Sequence, residues 1–391
     1  MYKWVIVGGG VQGITMATFL LRKKKITTSE LAIVDPYSEP LEKWKHYTSS
    51  ISMPYLRSPV VHHIDVETFS LQAFVKRKTY DWNTAFYGRF KRPSLQVFNE
   101  YCEHIIEDLL LKNAWIQGRV RGANRMEGGW SVQLDNGQEI LGENLILAIG
   151  ISEQPSWPEW AEVLKNESYN SVYHIFDSDL PSFEHLKRPF TIVGGGITSV
   201  HLALKLSTLF PNDVTLFKRH SFRLHDFDSD PAWLGPKNQL PFRKLESYKE
   251  RREKIIGARH KGSVPRDLHI KLLHRIQRGE LSVVDGSAER AIVSNGQILI
   301  HDDQDNLIHQ TGTLLLATGF KPTLPGREWL TPMIHKHHLK CAECGYPIVS
   351  KSLQWGPNLY VIGALAELEM GPIARNISGA RQAAERIVSS L

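Results

Sequence analysis

The chain is poor in cysteine, with three in 391 residues: Cys102, Cys341 and Cys344. So few cannot frame a disulfide scaffold, and a reducing compartment is the expectation. No apolar run approaches the roughly 18 residues that would cross a bilayer. The N-terminus enters a strand pattern directly, without the charged, apolar and small-residue segments of a secretory leader. A cytoplasmic protein without membrane contact is therefore expected. Charge of one sign is not in marked excess either. Lys plus Arg number 47 against 41 Asp plus Glu, a net charge of +6. There is no basic block with interleaved aromatics, which argues against nucleic acid. Arg22-Lys23-Lys24-Lys25 reads as a solvated helix end. One stretch has the look of a metal site. His335, His337, His338, Cys341 and Cys344 lie close together, but a structural zinc site usually pairs two such clusters at wider spacing. The stretch reads as a polar loop, and no metal is expected.

What the chain does have, twice, is a glycine-rich turn between an apolar run and an apolar-periodic stretch. Tyr2–Val7 suits a buried parallel strand. Gly8, Gly10 and Gly13 follow in the spacing G-x-G-x-x-G, then a helical pattern, then Leu31–Asp35, a second buried strand ending in a carboxylate. Gly8 permits the tight turn, Gly10 lets the backbone approach a diphosphate, and Gly13 lets helix and strand pack closely. The helix N-terminus offers free N–H donors. Asp35 accepts hydrogen bonds from a ribose, which suits FAD.

The second copy follows the strand Phe190–Val193. Gly194 and Gly196 hold the first two positions and Ser199 the third. The next strand ends in Lys218-Arg219, a cationic pair that would attract the 2′-phosphate of NADPH where an acid would repel it. The strands Asn144–Gly150 and Thr313–Phe320 each stop at a glycine, with prolines beyond, as at crossovers between folds. Turn signals at Asn136-Gly137 and Asn295-Gly296 mark small antiparallel excursions. The fold class is thus α/β with two Rossmann-like dinucleotide-binding domains. The FAD domain is discontinuous, 1–175 and 313–391, and the NADPH domain, 176–312, is inserted in it. Near the C-terminus, Gly371-Pro372 opens a helix from about Ile373 whose free N–H groups suit a flavin edge. Arg223–Phe242 reads as a lid or as a surface insertion. Lys244–Arg266 reads as an exposed, charged helix and loop.

With these residues in view, the chain resembles the two-dinucleotide-binding-domain flavoproteins. Within them it is most similar to the flavin-dependent N-hydroxylating monooxygenases acting on lysine and ornithine, and to class B monooxygenases. The resemblance rests on the two glycine turns, Ala317-Thr318-Gly319, and the segments Ser52–Val75, Phe90–Ile105 and Val172–Leu180. It implies that Arg57 lies beside the flavin or substrate and that His174, in the interdomain linker, completes the catalytic set. It also implies that Arg219 holds the 2′-phosphate, that Gly319 and Gly363 contact the flavin, and that Glu367 or Glu369 stands in for an acid usually found after Gly363. NADPH would reduce FAD, and O2 would add to form a C4a-(hydro)peroxyflavin that oxygenates a small amine-like nucleophile. The cofactor would carry that chemistry, so no paired carboxylates or Ser/His/Asp constellation is needed. Partners are then a small molecule and O2; a homo-oligomer is left open. Two alternatives stand beside this reading: an NAD(P)H-dependent flavin or quinone reductase without oxygenation, and a nucleotide-binding sensor that turns nothing over.

Overall fold

The apolar run Tyr2–Val7 forms β1, buried from Trp4 onward. A strand sealed on both faces needs parallel neighbours and covering helices. Helix α1 (Val11–Lys24) follows the glycine turn, β2 (Leu31–Asp35) pairs with β1 through Val7↔Val34, and α2 (Glu42–Ser50) comes next. Then β3 (Trp115–Gln117) adds to β2, and β4 (Glu139–Leu147) pairs with the other side of β1 through Val7↔Leu147. This is a computed structural model, and it describes residues 1–24, 26–166 and 169–391. Lys25, the last residue of the basic run, lies outside the described residues.

A second parallel sheet contains β5 (Val172–His174), β6 (Phe190–Val193), β7 (Val214–Lys218), β8 (Ser282–Asp285) and β9 (Thr313–Leu316), with α3 (Ile197–Leu209) after β6. Its order is β8-β7-β6-β9-β5. Sequence boundaries at 175/176 and 312/313 assign β5 and β9 to the first unit. Their hydrogen bonding places both in the second sheet, through Ile192↔Leu315 and Leu316↔His174. A buried apolar run states that a strand is parallel and covered; it does not state which sheet it joins.

The chain returns to the first sheet with β10 (Leu359–Val361), giving the order β3-β2-β1-β4-β10, and ends in α4 (Ile377–Ser389), which packs on α1. Both antiparallel excursions form. Val120–Met126 and Gly129–Leu134 run into β4 around Gly137, and Arg290–Ser294 pairs with Gln297–His301 around Asn295-Gly296, both at positive φ. The segment 223–265 is neither a free lid nor loose surface. Its Trp233, Phe242 and Ile255 pack with Tyr346, Leu368 and Ile373 of the first unit. No helix among the described residues is long and apolar enough to cross a membrane.

Candidate functional site

A cavity of about 1050 Å³ opens at the carboxyl ends of β1 and β2, in front of the first glycine turn. Open α/β sheets bind ligands at this edge. The glycines account for its shape. Gly8 has φ +110°, and a Cβ there would lie 2.7 Å from the Ala148 carbonyl oxygen. A Cβ on Gly13 would overlap the Gly8 carbonyl oxygen, so α1 starts tight against the turn. A Cβ on Gly10 would meet no atom within 4 Å, because the cavity lies there. The Gly9 N–H donates to Asp35 Oδ2 at 2.6 Å and the Tyr37 N–H to Oδ1 at 3.1 Å, which fixes the carboxylate at the cavity wall. Burial raises the Asp35 pKa, against the pull of those two N–H groups. Two further lone pairs stay free to accept from hydroxyls.

A dinucleotide fits what surrounds the turn. Gln12 borders the cavity, and its Nε2 donates to the carbonyls of Ala374 (3.2 Å) and Asn376 (3.1 Å). Its Oε1 is buried and has no partner among the described residues. An unmatched acceptor beside a cavity calls for a donor such as a ribityl hydroxyl. The other walls went unread in the sequence. Lys43, Trp44, Tyr47 and Thr48 face the cavity from α2, at spacings of one and four residues that put them on one helical face. Tyr47 stacks on Phe176 (centroids 4.3 Å), which stacks on Phe320 (5.5 Å), so an aromatic pile joins the two units at this wall. Lys43 and Arg119 both pair with Glu153, the latter at 3.1 Å. Burial alone would raise the Glu153 pKa; these two cations hold it below the ordinary carboxylate range.

The second turn is built alike but faces something different. Gly194 has φ +147°, and the buried Ser199 hydroxyl donates to the Gly196 carbonyl at 2.8 Å, filling the place of the third glycine. The Lys218-Arg219 pair divides. Lys218 is buried and ion-paired with Asp285 of β8, while Arg219 is exposed. Lys218 is the last residue of β7, and Arg219 lies in the bend just beyond it. In front of Gly196 there is backbone in place of open space: a Cβ there would lie 3.2 Å from Gly262 Cα.

Several expected contacts do not border the cavity. Arg57 reaches across the interface to the 223–265 segment. His174 is fully buried beside Phe176 and Phe320. Gly319 (φ +80°) accepts from the Ser156 N–H at the crossover. Gly363 (φ +66°) lies against Gln12, where a Cβ would stand 3.2 Å from Gln12 Cγ. Gly371 does not open a long helix. Pro372–Arg375 is a single 3-10 turn, α4 starts at Ile377, and Gly371 lies under Trp233. Glu367 and Glu369 do not replace the missing acid after Gly363. Glu367 is engaged by Arg252, Arg259 and Arg375, and Glu369 by Arg251 and Arg386. Arg375 does border the cavity. Among the described residues no three His, Cys, Asp or Glu side chains gather as metal ligands. The Cys341 thiol is pushed up by burial, and His337 packs edge-on against Trp130.

Burial lowers the pKa of His63, His174 and His201 to about 4. The unfolded chain then binds more protons than the folded chain between about pH 6.5 and pH 4, so stability is full above that window and falls as pH drops through it. Each histidine should contribute up to about 1.4 kcal/mol per pH unit there. His174→Phe, which keeps the aromatic packing, should make the urea midpoint less sensitive to pH between 7 and 5; an unchanged slope would contradict a buried neutral imidazole.

Residues 5–152 match the model of an FAD-NAD(P)-binding family. No curated protein matches the chain. Among solved structures, ornithine hydroxylase from Pseudomonas aeruginosa superposes with a TM-score of 0.77 at 18% identity, covering 100% of this chain and 98% of that one. The cadaverine monooxygenase of Erwinia amylovora gives 0.75 and 16%, covering 100% and 95%. L-lysine 6-monooxygenase from Pseudomonas syringae gives 0.73 and 15%, covering 100% and 99%. Over its whole length, the chain has the fold of these flavin monooxygenases, with two dinucleotide-binding units.

Proposed function

We propose that the chain is an FAD-dependent, NADPH-using monooxygenase that hydroxylates a small amine. One observation carries the reading: the first glycine turn opens onto a cavity large enough for a dinucleotide, with Asp35 fixed at its wall and Gln12 presenting an unmatched acceptor. The fold supports it, since one structure of the same fold is an ornithine N-hydroxylase from Kutzneria sp. 744 with reduced FAD, NADP+ and L-ornithine. Bound flavin would supply the two-electron redox chemistry and the reaction with O2 that side chains lack. The residues of this chain do the rest. The amides after Gly8 hold the diphosphate, Asp35 orients the ribose, Gln12 orients the chain toward the ring, and the Tyr47–Phe176 wall keeps water out. The sheet of β6 to β9 takes NADPH, with Arg219 toward the 2′-phosphate.

The test is an absorbance spectrum of the purified chain, then NADPH in air with ornithine, lysine or cadaverine. A yellow protein that forms hydroxylated amine in step with NADPH consumption supports the proposal. Stoichiometric H2O2 without product leaves a reductase, and a colourless protein indifferent to NADPH leaves a sensor. Arg219→Ala should raise KM for NADPH by a factor equivalent to roughly 1.5–3 kcal/mol and leave KM for NADH unchanged. Equal effects on both cofactors would remove Arg219 from the phosphate.

A further inference from the structure

The two glycine turns differ in what covers them. Gly10 faces the cavity, whereas a Cβ on Gly196 would lie 3.2 Å from Gly262 Cα and 3.6 Å from its carbonyl carbon. Two backbones that close leave no room for a diphosphate between them. Gly262 (φ +68°) belongs to Arg259–Val264, and this segment is sewn to 223–229. Ser263–Val264 pairs in parallel with Arg223–Leu224, the His225 N–H donates to the Val264 carbonyl (3.1 Å), and the His260 N–H donates to the Asp228 carbonyl (2.7 Å). One clip comes from the other unit. Arg57 Nε donates to the Asp226 carbonyl (2.9 Å), and its Nη2 donates to the His225 carbonyl (2.7 Å) and to Ser263 Oγ (2.9 Å). A single guanidinium thus holds both strands of the flap across the interface.

We infer that Arg57 is a positioning residue that clamps Arg259–Val264 over the second glycine turn, and that a dinucleotide reaches this turn only when Gly262 swings away. The inference rests on the NADPH reading above. A site that is competent in only a fraction of molecules binds more weakly by that fraction. Weakening the clamp therefore tightens dinucleotide binding. An arginine that itself touched flavin or NADPH would give the opposite sign.

The test uses the full chain loaded with FAD, and measures the Kd for NADP+ by calorimetry in wild type, Arg57→Met and Ser263→Ala. Arg57→Met should tighten binding about tenfold, the loss of roughly one charge-assisted hydrogen bond's worth of closure. Ser263→Ala, which keeps the arginine and removes one of its three acceptors, should tighten it less. Hydrogen exchange at the His225 and His260 amides should quicken in Arg57→Met, and in wild type on saturation with NADP+. A Kd that is unchanged or weaker in both variants, or exchange at those amides that NADP+ leaves alone, overturns the clamp and leaves the NADPH reading intact. Binding to Arg57→Met but not to wild type supports the clamp in its strongest form. No binding to any of the three overturns both. If Arg57→Met fails to fold, Ser263→Ala decides alone.

Discussion

Gly10→Val should leave the chain colourless without unfolding it. The Gly10 backbone is not in the left-handed region, and a Cβ there meets nothing within 4 Å, so the apo protein accommodates the side chain. A substitution that touches no neighbour changes stability by about ±0.5 kcal/mol, and the apo variant should melt within about 2 °C of apo wild type. The branched side chain instead fills the space where a diphosphate must approach the amides. The measurement is visible flavin absorbance per chain beside the melting midpoint of both apo forms. Gly13→Val is the control. Its Cβ would overlap the Gly8 carbonyl oxygen, so it should lose the fold and the flavin together. Full flavin content in Gly10→Val would mean that the diphosphate does not lie on this turn.

This first turn was legible because its glycines act through sterics within a few residues, and spacing alone encodes them. The contacts that were not legible depend on partners far away in sequence. Lys218 and Arg219 read as one cationic pair, yet Asp285, 67 residues on, takes Lys218 and leaves Arg219 to solvent. Gly371 reads as a helix opening before Pro372, yet Trp233 determines its surroundings. Arg57 carried over by resemblance to the flavin, whereas its three acceptors lie on the far unit. One further signal is present in the sequence. Glu367 and Glu369 interrupt an otherwise apolar stretch, Leu359–Ala374, and buried acids require cations. Three of those cations, Arg251, Arg252 and Arg259, sit in the run Lys244–Arg266, which reads from the sequence as a solvated face.

A large loss of stability is expected there too, in Glu367→Gln. Glu367 is fully buried. Its Oε1 accepts from Arg375 Nη2 (2.8 Å) and from Arg252, and its Oε2 accepts from Arg375 Nε (2.7 Å) and Arg259 Nη2 (3.0 Å). Arg252 also lies 4.2 Å from the centre of the Tyr346 ring. One carboxylate therefore holds three guanidiniums, from a helix (Arg252), the residue that caps its end (Arg259) and a 3-10 turn (Arg375). Glutamine keeps the volume but removes the charge, and it turns an N–H2 toward a donor. Breaking a buried pair from one side costs about 3–5 kcal/mol, because the partners stay charged and uncompensated. At roughly 2–4 °C per kcal/mol for units of this size, the midpoint should fall by about 10 °C. Arg375 borders the cavity and Arg259 begins the flap, so flavin retention should weaken as well. Glu153→Gln provides the contrast. That carboxylate also pairs with two cations, but its side chain is 43% exposed, and exposed pairs are worth about 0–1 kcal/mol. Melting curves of the two variants side by side check the assignment. A Glu367→Gln midpoint no lower than that of Glu153→Gln would mean that the three arginines find water or other acceptors, and that the carboxylate does not organise the joint between the 223–265 segment and the first unit.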